Sequence, residues 1–316
     1  MLSHYRNGNE NLKPNVVSFS TVINGWAKCA SKEAGAAQRA GKVFKLMLNE
    51  FEGGNLSAKP NSITYCSLID AYVKSRDAGA LECAEDIYDD MFHKYISGNR
   101  DHKPSTILAN QIMDKISKSG QSGAGEKAEN ILKSLNYLYL EYGDRDFLPN
   151  DRSYTMVINA YAKSRQFRKA SNAKRILKQM ISSYNEGNIT AKPNVFSFTA
   201  VINACAFTIG DEVETKEALR IATAAYKSLE IYDTPNHVTY SCFLRACLNL
   251  IPEGPSQESA LLLVFRKCRD HGQVTEMILQ ILSRALSKQQ VETIVGINAD
   301  PSGNISIDSV PTAWKV

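Results

Sequence analysis

The sequence predicts an all-α fold, a right-handed α-solenoid of about six helix-turn-helix repeats. Three observations predict it. Pro14, Pro60, Pro104, Pro149, Pro193 and Pro235 recur at separations of 46, 44, 45, 44 and 42 residues. A short polar residue, Asn or Ser, follows each of them. Downstream of each proline, apolar residues fall at helical rather than alternating spacing.

The first helix of each repeat begins at the proline. The four best copies read Asn15-Val-Val-Ser-Phe-Ser-Thr-Val-Ile-Asn24, Asn61-Ser-Ile-Thr-Tyr-Cys-Ser-Leu-Ile-Asp70, Asn150-Asp-Arg-Ser-Tyr-Thr-Met-Val-Ile-Asn159 and Asn194-Val-Phe-Ser-Phe-Thr-Ala-Val-Ile-Asn203, with looser copies from Ser105 and Asn236. In the first, Phe19, Val22, Ile23 and Trp26 stand at i, i+3, i+4 and i+7, one face of a helix. Proline keeps a preceding helix from running on, and the Asn or Ser after it suits an N-cap.

A second helix follows about 20 residues after each aromatic, counted from the sequence. Its stripe reads Ala40, Val43, Phe44, Met47 in the first repeat, and the same spacing starts at Ala84, Ala128 and Ala173. Looser copies are Ala222, Ala225, Tyr226, Leu229 and then Leu261, Val264, Phe265, Cys268. Gly8, Gly54, Gly98, Gly143 and Gly187 each lie six residues before the next repeat proline, where glycine suits the left-handed end of a helix. The Leu229 to Pro235 connection is shorter and lacks that glycine, so this junction is expected to pack differently.

One hairpin cannot bury both of its apolar stripes, so stacking is required. The expected organisation is an N-terminal extension over 1–13, a repeat array over 14–286 closed by a helix from Thr275 to Leu286, and a C-terminal tail over 287–316 of undefined structure.

Composition excludes other classes. The 316 residues carry 37 Lys+Arg against 33 Asp+Glu, a net charge of +4, and are 43% hydrophobic, too apolar and too balanced for disorder. The longest apolar run, Ala260 to Phe265, is far short of the roughly 18–20 residues of a membrane span. Residues 1–13 have neither the apolar core of a secretory signal nor the amphipathic pattern of a transit peptide. The seven cysteines form no C-x-x-C pair and read as reduced core thiols, and the sequons at Asn55, Asn188 and Asn304 carry no weight without secretion.

The proline and polar cap, the Ser/Thr-aromatic-polar step, the Leu/Val-Ile pair and the Ala-x-x-Ile-Phe-x-x-Met stripe together resemble the pentatricopeptide-repeat family. The resemblance spans most of the chain. The period is longer than the family's usual one, and the extra residues fall in the turn inside each hairpin and around the end of its second helix. Tetratricopeptide repeats would require W-x-x-L-G-x-x-Y, absent here; HEAT and armadillo repeats share the period but not the proline-Asn entry.

The resemblance implies binding of single-stranded RNA, one base per repeat, by two side chains. One follows the aromatic of the first helix: Ser20, Cys66, Asn110, Thr155, Thr199 and Ser241. The other follows the next proline: Asn61, Ser105, Asn150, Asn194 and Asn236. By this analogy Ser or Thr with Asn favours adenine and Asn with Asn a pyrimidine, Cys66 with Ser105 has no assignment, and Ser241 has no partner. The same residues also read as helix caps and solvated face, and both readings stand at this level.

Between Asp151 and Ala200 nine basic residues face two acids, a local +7. Arg152, Lys163, Arg165, Arg168 and Lys169 are therefore candidates for the RNA backbone, or else a solvated helix face. Arg152 occupies the place where the family has an apolar wedge between bases.

No catalytic chemistry is expected. His4, His93, His102, His237 and His271 are dispersed, without zinc spacing. Gly120-Gln-Ser-Gly-Ala-Gly125-Glu126-Lys127 imitates a phosphate loop but has Lys one place late and follows a helix. The stretch after the array has only Glu292, Asp300 and Asp308 as acids, too few for a metallonuclease domain. The expectation is a non-enzyme with no metal, cofactor, small-molecule substrate or membrane partner, acting in RNA processing, stability or translation in a mitochondrion or plastid, as the resemblance implies. A scaffold for a protein partner is the alternative.

Overall fold

The computed structural model describes residues 5, 7, 9–297 and 305–316. Gly8, His4, Asp300 and Asn304 lie outside the described residues. Among those described there are fourteen α-helices and no β-strand; one isolated bridge pairs Val274 with Lys315.

The helices alternate as two helices per repeat. The first helices are α1 (Val16–Cys29), α3 (Ser62–Lys74), α5 (Thr106–Ser119), α7 (Asp151–Lys163), α9 (Val195–Ala206) and α11 (His237–Leu250). The second are α2 (Ala36–Glu52), α4 (Ala80–Ile96), α6 (Ala124–Tyr142), α8 (Lys169–Asn185), α10 (Glu212–Tyr232) and α12 (Pro255–Asp270). A helix α13 (Glu276–Ala285) follows at the place expected for a capping helix. The described parts of the tail, 287–297 and 305–316, are more ordered than their composition suggests. Ser287 and Gln290 form a capping box that starts α14 (Lys288–Val295), and Val274 N–H donates to the Trp314 carbonyl at 2.7 Å while Arg269 covers the Trp314 ring.

Contacts divide the chain into two compact units, Met1–Lys118 with Asn130–Pro149 and Ser119–Glu129 with Asn150–Val316. In the first, α1 packs on its own partner α2 and on the next first helix, α3. Ile23, Ala27, Ala37, Ala40, Leu68 and Ala71 form one core there, with Trp26, Phe44 and Tyr72 against it. In the second, α7 packs on α8 and α9, α9 on α10 and α11, and α11 on α12 and α13. Most of the predicted stripes are buried: Phe19, Ile23, Tyr65, Leu68, Tyr154, Val157, Phe198 and Val201 in first helices, Met47, Tyr88, Met91, Ile176 and Met180 in second helices; Trp26, Val43 and Phe44 are half-buried, and Val22, expected on the same face as Phe19 and Ile23, is 47% exposed. Burial of each such side chain contributes about 1.5–3 kcal/mol.

The punctuation works as the sequence implies. Gly54, Gly98, Gly143 and Gly187 have φ of 98°, 97°, 66° and 105°. At the first, Gly54 N–H donates to the Phe51 carbonyl and Asn55 N–H to the Glu50 carbonyl, and the same pair recurs at Gly98 and Gly187. These are Schellman ends, which satisfy two carbonyls that the helix leaves open. Between glycine and proline the chain makes a short 3-10 turn: Leu56–Ala58, Arg100–His102, Arg145–Phe147 and Ile189–Ala191. These turns dock one buried side chain each, Ala58, His102, Phe147 and Ala191, beside a buried proline.

Candidate nucleic-acid interface

The residue after each proline is a helix cap in every repeat. Asn15, Asn61, Asn150, Asn194 and Asn236 accept at Oδ1 from the N–H three residues on, at 2.9–3.1 Å. The Ser or Thr at that third position faces back, completing a capping box in all five. Ser105 does the same work more weakly, accepting from Leu108 N–H at 3.3 Å. The Asn194 amide also donates to Asp151 Oδ2 at 2.8 Å. At these residues the oxygen is committed to the helix.

Two of the predicted partners after the aromatics, Ser20 and Thr199, lie between successive first helices. Ser20 Oγ stands 2.8 Å from Thr64 Oγ1, and Thr199 Oγ1 stands 2.7 Å from Thr239 Oγ1. Thr64 and Thr239 are the capping-box residues of the following repeat, so each contact joins a reading position to the next cap. Asn110, Thr199 and Ser241 are buried, and Ser241 Oγ donates to the His237 carbonyl at 2.9 Å. Cys66 is half-buried, and burial, then the Asp70 carboxylate, push its thiol up. Thr155 Oγ1 is buried and has no hydrogen-bond partner. For Ser20, Thr155 and Thr199 the physical reason is local: each follows a core aromatic, and the next first helix packs over that edge, whereas Asn110 follows Ala109.

What faces outward is the second residue of each first helix, three positions earlier and therefore on the same side. Val17, Ile63, Ile107, Phe196 and Val238 are between 45% and 76% exposed, and the fourth repeat has exposed Arg152 in that place. At the other end of the same helices, exposed lysines recur at the thirteenth residue: Lys28, Lys74, Lys118 and Lys163. Lys74 and Lys118 each pair with the aspartate one turn before, Asp70 and Asp114, at 2.6 Å. Local charge density singles out only Lys163 in the sequence; the thirteen-residue step from each cap marks the other three.

The basic segment of the fourth repeat divides on inspection. Arg152, Lys163, Arg165 and Arg168 are exposed. Lys169 is not the surface cation the charge count suggests: it is 4% exposed, its ammonium reaches the Ala162 carbonyl at 3.4 Å, and burial pulls its pKa down. Arg175 and Lys174 are tied to Glu129 and Glu217. Arg168 has φ 59°, the position filled by Gly35, Gly79 and Gly123 before the second helices of the first three repeats, and its guanidinium stands 6.0 Å from the Phe167 ring centre.

Among the described residues no group of three or more His, Cys, Asp or Glu is placed to hold a metal ion, and no helix is long and apolar enough to cross a membrane. No protein-family model and no curated protein sequence matches the chain.

Proposed function

We propose that the chain is a non-catalytic, pentatricopeptide-like α-solenoid that binds single-stranded RNA and acts in RNA processing, stability or translation. The observation that carries this reading is an outward apolar residue at the same helix position, Val17, Ile63 and Ile107 in the first unit and Phe196 and Val238 in the second. Single exposed apolar residues are ordinary. One at the same helix position in five of six repeats, on the same side as a polar residue three positions on, is a stacking surface in search of flat rings. Bases supply such rings, and base stacking on protein side chains contributes about 1–3 kcal/mol each. Arg152 fits that position chemically, since a guanidinium plane also stacks on a base. The exposed lysines at the far end of these helices add positive charge that can attract a phosphate backbone, reduced at Lys74 and Lys118 by their aspartate partners.

The experiment is fluorescence anisotropy with short single-stranded RNAs at two salt concentrations. Release of counterions from about four phosphates gives a log–log slope near −3, so a fourfold rise in salt should weaken binding about 50-fold. Thr155→Asn should move preference at one base from adenine toward a pyrimidine. Absence of binding to any RNA pool at low salt would end this reading.

One observation favours a second reading, a scaffold for a protein segment. An apolar groove lined by Leu219, Tyr226, Phe243 and Leu263 opens beside α10, α11 and α12. Binding of the chain to peptides but not to RNA would support it.

A further inference from the structure

A separate cavity lies in the fourth to sixth repeats, where α7 and α9 end. Lys163, Arg165, Lys169, Asn203, Phe207 and Ile209 are among its lining residues, and none of the lining residues is acidic. Lys163 and Arg165 have no ion-pair partner among the described residues. Lys169 is the unusual member. The residue is more than nine-tenths buried, yet its ammonium has one long hydrogen bond, to the Ala162 carbonyl at 3.4 Å, leaving two N–H groups for another acceptor. An ammonium in this condition is costly unless something anionic joins it. Its lowered pKa reports the same deficit of compensating charge.

Charge and shape narrow what that anion is. Three cations line the site; the C-terminal ends of α7, α9 and α11 each offset, and the N-terminal end of α8 adds, about half a charge, leaving roughly +2. That matches a phosphomonoester dianion better than the single charge of an internal phosphodiester. Next to the cations, Phe207 and Ile209 present exposed apolar surface, 44% and 67%. This suits the face of a flat ring attached to the phosphate, and the Asn203 amide, which lines the same cavity, adds a polar group that can take either a donor or an acceptor.

We infer that this cavity binds a nucleoside monophosphate group, through Lys163, Arg165 and Lys169 at the phosphate and Phe207 and Ile209 at the base. The group could belong to a free mononucleotide or to the phosphorylated end of an RNA strand. Only the second source rests on the RNA-binding reading above.

Titration calorimetry with adenosine monophosphate, adenosine and inorganic phosphate tests the pocket by itself. Adenosine monophosphate should bind saturably, and adenosine and inorganic phosphate at least about tenfold more weakly. Lys169→Met removes the buried charge at similar volume, and Arg165→Gln changes an exposed residue that the fold does not need. Each should weaken nucleotide binding about tenfold or more. Equal binding of nucleotide and adenosine, equal binding of nucleotide and inorganic phosphate, or unchanged binding in Arg165→Gln overturns the assignment. Short RNAs with a phosphate at one end, at the other or at neither separate the sources. A gain in affinity on terminal phosphorylation that Arg165→Gln abolishes identifies the RNA end; nucleotide binding with no such gain identifies the free mononucleotide. Failure of the unphosphorylated RNA to bind, with nucleotide binding intact, ends the RNA reading and leaves this pocket standing.

Discussion

Gly125 and Gly41 make a paired test of what the packing adds to helix propensity. Both lie within helices, where Gly→Ala alone is worth up to about 1 kcal/mol of stabilisation. At Gly125, a Cβ would come within 2.3 Å, 2.4 Å and 2.7 Å of three ring carbons of Tyr161. Ordinary carbon contacts are about 3.5–4.0 Å, so the ring must retreat by more than ~1 Å. It has nowhere to go. Tyr161 is 2% exposed and its hydroxyl donates to Glu129 Oε2 at 2.6 Å, while Arg175 holds the same carboxylate at 2.9 Å and 2.6 Å. Overpacking costs about 1–3 kcal/mol, and a loosened hydrogen bond to a charged group about 1.5–3 kcal/mol. Gly125 stands in the first turn of α6, where the propensity gain is small. The net expectation for Gly125→Ala is a loss of about 2–3 kcal/mol, or a melting temperature lower by roughly 4–12 °C for a unit of this size. At Gly41 the close atom is the Tyr72 hydroxyl, at 2.4 Å, the far end of a half-buried side chain that can swing aside. Gly41→Ala should therefore stabilise by about 0.5–1 kcal/mol. Thermal melts and hydrogen exchange over α6, α7 and α2 measure both. If the two variants shift stability in the same direction, the packing argument is wrong.

Three further outcomes follow from the same coordinates. Arg168→Gly should raise stability by about 1 kcal/mol in a denaturant titration, because it relieves a left-handed non-glycine residue, and should weaken RNA binding by removing a cation; unchanged stability refutes the strain. His102 is buried with Nε2 2.9 Å from the Tyr65 hydroxyl, and burial, then Lys94, hold its imidazole below the usual range against the opposing pull of Asp90 and Asp101. The unfolded state therefore binds more protons, so this contribution is complete above about pH 6.5 and is lost as pH falls below it; His102→Gln should flatten the dependence measured by denaturation at several pH values. Arg175→Met should cost about 2 kcal/mol by leaving the buried Glu129 carboxylate without its guanidinium, and adding Glu129→Gln should recover part of that in a double-mutant cycle.

The capping geometry bears on how bases would be read. In the five capping boxes the asparagine oxygen is used by the helix, so discrimination would fall to the amide nitrogens, of which that of Asn194 already donates to Asp151, and Thr155 Oγ1, being buried, could take part only after a local rearrangement. Replacing these asparagines would thus change helix stability by about 1 kcal/mol each as well as any base preference. Binding data on such variants have to be read beside their melts.

The sequence by itself determined the register of this protein. The proline step, the Asn or Ser cap and the preceding glycine are local backbone devices, fixed by steric and hydrogen-bonding rules that act within a few residues, and so helix starts, ends and apolar faces were legible without coordinates. The 3-10 turns at Leu56–Ala58 and its counterparts were not, because a three-residue turn has no hydrophobic period to detect. Side-chain environment was decided by the tertiary structure alone. Nothing local distinguishes Lys169, buried near Asn203 and Phe207 of the next repeat, from Arg165, exposed four residues earlier, or tells that Arg175 and Lys174 are neutralised by Glu129 and Glu217 some forty residues away. Likewise Ser20 and Thr199 meet Thr64 and Thr239 only because successive first helices pack edge to edge. Burial and charge pairing between repeats are sums over neighbours that the chain brings together on folding, and that is why the capping residues could be named from the sequence while the cavity at Lys169 could not.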